Sequence, residues 1–186
     1  MKVKEVRIMH GRKIAIERFL EVALPEDMVL PDGELRFFVE QDINDLILER
    51  KPFFWIDKAV SIGTDFMLTS TLVTAAHCEG HYPGYPVVPL IEIGRVAAQT
   101  GFFLVTINMP ADQETIAVGS DKFYPKINEF IDTPAILLAK AQKTHYTAGF
   151  YFVDIVIYVD QKTVALAKNV VYGTKPKSEI LAKVKA

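Results

Sequence analysis

One cysteine, Cys78, one tryptophan and four histidines are spread over 186 residues. A lone cysteine cannot close an intrachain disulfide, and it supplies no thiolate cluster for structural zinc. A reducing, cytoplasmic setting is the expectation. An excess of charge of either sign is also lacking. Lysine and arginine total 21 against 23 aspartates and glutamates, for a net charge of -2, so no basic face marks the chain as a nucleic-acid binder. There is no apolar run long enough to span a bilayer. The opening Met1-Lys2-Val3-Lys4-Glu5-Val6-Arg7 interleaves charge with apolar residues, unlike the core of a signal peptide. Internal repeats, low-complexity tracts and linkers are likewise missing. A soluble protein with no nucleic-acid partner and no membrane span is expected.

What is present is a globular balance, 50% hydrophobic and 24% charged, in a length that favours one core and one domain over residues 1–186. Residues 1–40 read as an N-terminal extension whose role the sequence leaves open. An amphipathic stretch runs through Ile14, Ile16, Phe19, Leu20 and Val22, and a turn region follows at Pro25 and Pro31-Asp32-Gly33. Asp42 to Leu48 has the pattern of a short capped helix. Extended segments are predicted at Phe53 to Asp57 and Phe66 to Val73, as the start of a hairpin.

From Leu90 to Val105 apolar residues point in nearly every helical direction, as a helix buried on most sides requires. At about 100° per residue, Glu92, Arg95 and Gln99 share one narrow arc of that helix. Four extended runs then follow near residues 114–124, 133–145, 149–159 and 162–172, the last two joined by a turn at Asp160-Gln161. They read as an antiparallel meander. One buried helix and several long strands are best satisfied by an α+β arrangement in which the sheet curls around the helix.

Just before the helix stands His81-Tyr82-Pro83-Gly84-Tyr85-Pro86-Val87-Val88-Pro89. Three prolines within seven residues fix an extended turn, and Gly84 permits close backbone approach, so His81 is held near the helix start. An imidazole so placed suits general acid–base work near neutral pH. The unpaired amides of the helix N-terminus suit an oxygen on which negative charge develops. The segment resembles the His-Phe/Tyr-Pro-Gly-x-Pro-x-x-Pro-Gly pattern of the beta-hydroxyacyl-acyl-carrier-protein dehydratases. Asp42-Ile43-Asn44, Pro52 to Lys58 and Val118 to Lys122 are similar to other parts of that family, for coverage of roughly residues 42–174. The resemblance implies a hot-dog fold, with a curved antiparallel sheet wrapped around one long central helix at about 90–105. It also implies a homodimer, or a higher oligomer built from dimers, acting without a cofactor on 3-hydroxyacyl thioesters of acyl carrier protein or coenzyme A.

One position departs from the family. Its catalytic Glu or Asp lies fourteen residues after the histidine and its Gln four further on; here those places hold Arg95 and Gln99. Glu92, one turn earlier on the same face, is the candidate replacement acid, and it can equally close an i,i+3 ion pair with Arg95. The candidate catalytic residues are thus His81 and Glu92, with Gly84, Pro89, Arg95 and Gln99 as substrate-binding candidates. Arginine stays charged and is a poor proton donor, but it can hold a carboxylate or phosphate.

The competing readings are a hot-dog acyl thioesterase, with Glu92 activating water, and a non-catalytic acyl-binding subunit of a heteromeric pair. Cys78 reads as a buried thiol rather than a nucleophile, and a His77–His81 metal pair lacks a third ligand, so no metal is expected. Phe102, Phe103, Phe123, Tyr124, Phe150 and Phe152 divide between core and acyl tunnel. Residues 175–186, with Lys175, Lys177, Lys183 and Lys185, read as a solvated tail.

Overall fold

A computed structural model describes residues 3–47, 54–79, 84–126 and 130–179. The elements follow the order α1 (Val3–Leu20), β1 (Leu35–Val39), α2 (Glu40–Leu46), β2 (Lys58–Ile62), β3 (Phe66–Val73), a 3₁₀ turn (Ala75–Cys78), α3 (Leu90–Thr106), β4 (Gln113–Pro125), β5 (Ala135–Thr147), β6 (Phe150–Val159) and β7 (Lys162–Pro176). The strands form one antiparallel sheet of seven, in the order β1-β2-β3-β5-β6-β7-β4.

α3 lies against this sheet, and its apolar residues explain why. Ile93, Val96, Phe103, Leu104 and Val105 are all buried, and they share a core with Met67, Leu137, Ala139, Val153, Ile155 and Tyr172 from four strands. Register shifts at Ala117/Gly119, Lys143/His145, Val153/Ile155 and Ile157/Tyr158 add the local bends that let long strands wrap a helix. The closest approach is at Gly101, where a Cβ would stand 2.4 Å from the Tyr172 hydroxyl. Tyr172 in turn donates to the Ala98 carbonyl at 2.6 Å. A buried hydroxyl pair, Thr69 and Thr100 at 2.8 Å, ties α3 to β3.

The opposite face of the sheet has its own cover. Ile16 and Leu20 of α1, with Leu24 beyond it, pack on Val60, Ile62, Phe66, Leu68, Leu138 and Tyr158. The N-terminal extension therefore carries a full helix rather than the short amphipathic stretch expected, and that helix closes a second core.

Three further expectations are corrected. Residues 54–57 form no strand, although Phe54, Trp55 and Ile56 are all buried: the Trp55 N–H is taken by the Gln99 side chain rather than by a neighbouring strand. The first hairpin is instead β2–β3, turning at Gly63 with φ of 59°. The run at 114–124 does not join the meander; β5, β6 and β7 form it, and β4 crosses to pair with β7 at the far edge. The turn at Asp160-Gln161 is where it was predicted, with both residues at positive φ, as a tight hairpin requires. α2 matches the expected short helix shifted by two residues, with the Asp42 carboxylate accepting from the Val39 N–H at 2.9 Å.

Among the described residues no helix is long and apolar enough to cross a membrane.

Candidate active site

The second half of the proline-rich segment is fastened to the strand entering the sheet from the other side. Val88 N–H donates to the Ile131 carbonyl at 2.8 Å, and both the Thr133 N–H and hydroxyl donate to the Pro86 carbonyl. Gly84 has φ of 81°, in the left-handed region, so the residue serves the turn itself. Pro89 is the N-cap of α3, and its carbonyl accepts from the Glu92 and Ile93 N–H groups. The N–H groups of Leu90 and Ile91, in the exposed first turn, find no backbone acceptor among the described residues. His81 itself lies outside the described residues, together with Tyr82 and Pro83.

On α3 the three polar residues share a face as the spacing requires. Glu92 is 3% exposed and meets Arg95 Nη1 at 3.0 Å, while the Arg95 side chain is 37% exposed. The guanidinium sits over the indole of Trp55, 5.2 Å from the ring centroid. Gln99, one turn on, is buried and accepts from the Trp55 N–H at 3.0 Å. The run around Trp55 is thereby pinned to the helix by a side chain, which is why its backbone does not enter the sheet.

His77 completes the cluster. Its ring lies 4.9 Å from that of Trp55. Its Nδ1 accepts from the Thr74 N–H at 3.0 Å, so the proton of the neutral ring is on Nε2. Sequence reasoning weighed His77 only as a metal ligand and Trp55 only as a strand residue. Neither spacing nor periodicity signals that the indole would become the shared platform for a histidine and an arginine. Next to His77, Cys78 is buried, and burial first, then the charge of Glu92, push its thiol up, away from the thiolate a nucleophile needs. Among the described residues no three His, Cys, Asp or Glu side chains converge as a metal site.

Arg95 also borders an open depression of about 650 Å³, whose other walls are Leu90, Ile91, Gly94 and Phe123. Of the aromatic residues proposed to divide between core and tunnel, Phe103 is fully buried, Phe123 lines this depression, and Phe150 and Tyr124 are exposed. Phe152 stacks on His145 at 4.0 Å, away from the α3 cluster.

A curved antiparallel sheet around a central helix, entered through a proline-rich turn, defines the hot-dog fold. Solved structures agree. The chain superposes on the dehydratase heterocomplex ApeI:P from Xenorhabdus doucetiae with a TM-score of 0.59 at 9% identity, over 77% of this chain and 97% of that one. It superposes on a thioesterase from Haemophilus influenzae with a TM-score of 0.56 at 11% identity, over 75% and 92%. In sequence it is similar to the 3-hydroxyacyl-acyl-carrier-protein dehydratases FabZ. It is 35% identical to that of Roseobacter denitrificans over 95 residues, 47% of this chain and 62% of the relative's length. With that of Protochlamydia amoebophila it shares 26% over 123 residues, 64% of this chain and 78% of the relative. No protein-family model matches the chain.

Proposed function

We propose that the chain acts on 3-hydroxyacyl thioesters carried by acyl carrier protein or coenzyme A, removing water to give the 2-enoyl thioester. The observation that carries this reading is the first turn of α3. There a buried carboxylate, Glu92, shares a turn with the Leu90 and Ile91 amides, which find no backbone acceptor among the described residues, at the end of a segment that begins with His81. In the proposed step the His81 imidazole takes the C2 proton, and the Leu90 and Ile91 amides hold the thioester carbonyl as charge grows on its oxygen. The C3–O bond then breaks, and the hydroxyl leaves as water with the proton returned by the His81 imidazolium, while the Glu92 carboxylate positions the departing oxygen. Gln99 keeps Trp55, and through it Arg95, in place. The similarity to FabZ dehydratases supports this assignment.

A second reading, thioester hydrolysis, rests on the same Glu92 carboxylate, held in place by Arg95, as the group that would take a proton from water. In either case the chain is proposed to work as a homodimer joined through β4, whose outer edge has no partner strand among the described residues.

The test is to incubate purified protein with 3-hydroxyacyl, 2-enoyl and saturated acyl thioesters, following enoyl absorbance and free thiol. Dehydration that falls about 10²–10⁴-fold in His81→Ala supports the first reading. Thiol release that disappears in Glu92→Gln moves the assignment to hydrolysis. An inert protein overturns both and leaves a binding subunit of a heteromeric pair.

A further inference from the structure

The depression beside α3 has a composition that specifies its occupant. Among the described residues its walls are Leu90, Ile91, Gly94 and Phe123, which offer no charge, and Arg95. It is open to solvent, with a volume of about 650 Å³, so a ligand would lie along its walls rather than inside a closed cavity. The guanidinium is not a loose surface group. Glu92 Oε2 lies 3.0 Å from Nη1 on the buried side and the Trp55 ring supports one face, which together favour one direction of the guanidinium before any ligand arrives. One carboxylate oxygen uses only part of a five-donor fork, and the described residues supply no acceptor for its other N–H groups. A pre-oriented cation on an apolar wall matches a ligand that is apolar along its length and anionic at one point.

Taking the proposed thioester chemistry as given, we infer that Arg95 is a specificity residue that selects acyl chains bearing a carboxylate of their own. The shared chemistry, an oxyanion on the guanidinium, has two sources, the acyl group and the phosphates of the carrier arm. The apolar walls favour the first, since a hydrocarbon chain can lie against Leu90, Ile91 and Phe123 and bring its terminal carboxylate to Arg95. A carrier phosphate would arrive within a polar arm, for which these walls offer no hydrogen-bonding side chains.

The experiment compares binding of decanoyl and decanedioyl thioesters, each made on coenzyme A and on phosphate-free N-acetylcysteamine. Trp55, the single tryptophan, lies under the guanidinium, so its fluorescence reports occupancy. Arg95→Lys keeps the charge without the fork. Arg95→Met combined with Glu92→Gln removes the charge without stranding a buried carboxylate, which would endanger folding. The wild type is expected to bind the decanedioyl thioester at least about tenfold more tightly than the decanoyl one on both carriers. Arg95→Lys should reduce that ratio and the double variant should bring it to about one. Equal binding of the two chains by the wild type overturns the inference and leaves the thioester reading standing. A preference that follows the carrier phosphate and vanishes in the double variant also overturns it, assigning Arg95 to the carrier. If no thioester binds on either carrier, the proposed function itself fails.

Discussion

Gly101 and Tyr172 illustrate how tightly α3 is seated. The phenol occupies the space a methyl group would need, 2.4 Å from an added Cβ, and burial drives its ionisation far up, with only a hydrogen bond near Phe102 acting the other way. Gly101→Ala must therefore push the helix off β7, and a loss of about 1–3 kcal/mol in urea unfolding is expected. An unchanged midpoint would show that the contact is looser than the geometry states. Asp154 makes a pH-dependent contribution. Burial raises its carboxyl, but the Lys168 ammonium at 2.6 Å and the Asn169 N–H at 3.0 Å outweigh that, and the net shift is downward. A carboxyl lowered in the folded state stabilises fully above its unfolded value of about 3.9 and loses that contribution as pH falls through the folded one. Asp154→Asn should therefore lower the thermal midpoint at pH 7, with the gap to wild type closing below about pH 4. A gap that is the same at pH 7 and pH 3 would remove the carboxylate from the account.

Among the elements, α3 was the most legible, because a helix apolar on almost every side announces both its period and its burial. Its polar arc of Glu92, Arg95 and Gln99 could be drawn from spacing alone. The meander strands were legible for the same reason, being long runs of Val, Ile and aromatic residues with turns between. β1 was not, since only Phe38 of Leu35–Val39 is buried and its half-exposed pattern resembles a loop. The Phe54–Ile56 run misled by composition: its aromatics are buried, but its Trp55 amide is satisfied by a glutamine 44 residues away, which no local pattern encodes. α1 was read too short, because among its described side chains the anchors, Ile16 and Leu20, stand in the last turns, and their partner is the back of a sheet formed by later residues. Since that contact belongs to the second core and not to the α3 cluster, Leu20→Ala should cost about 2–5 kcal/mol of stability. The turnover of the protein that remains folded should not change. Loss of turnover in proportion beyond the unfolded fraction would show that α1 also supports the site.

For the whole molecule, among the described residues α3 covers one face of the sheet and α1 part of the other, over β2, β3, β5 and β6, and two edges, β1 and β4, stand open to a second copy. β4 ends the strand order, and from Ala117 to Lys122 it is exposed, with Val118 56% accessible. Such a strand offers unpaired N–H and C=O groups to a second copy, and Lys122 alone among its residues guards it with the positive charge typical of protected edges. Phe123, on the same strand, lines the depression that holds Arg95, so a partner strand along β4 would adjoin that depression in each protomer. Closed twofold pairing sets residue i against residue j and j against i, so cations added at two positions of the edge recur on both strands and repel across the interface. Val118→Lys with Tyr124→Lys is therefore expected to turn a dimer into a protomer in analytical ultracentrifugation at micromolar concentration, with an unchanged circular dichroism spectrum. Loss of the decanedioyl preference in the same variant would mean that the partner strand helps form the Arg95 depression. A wild type that already sediments as a protomer would instead place the whole site on one chain.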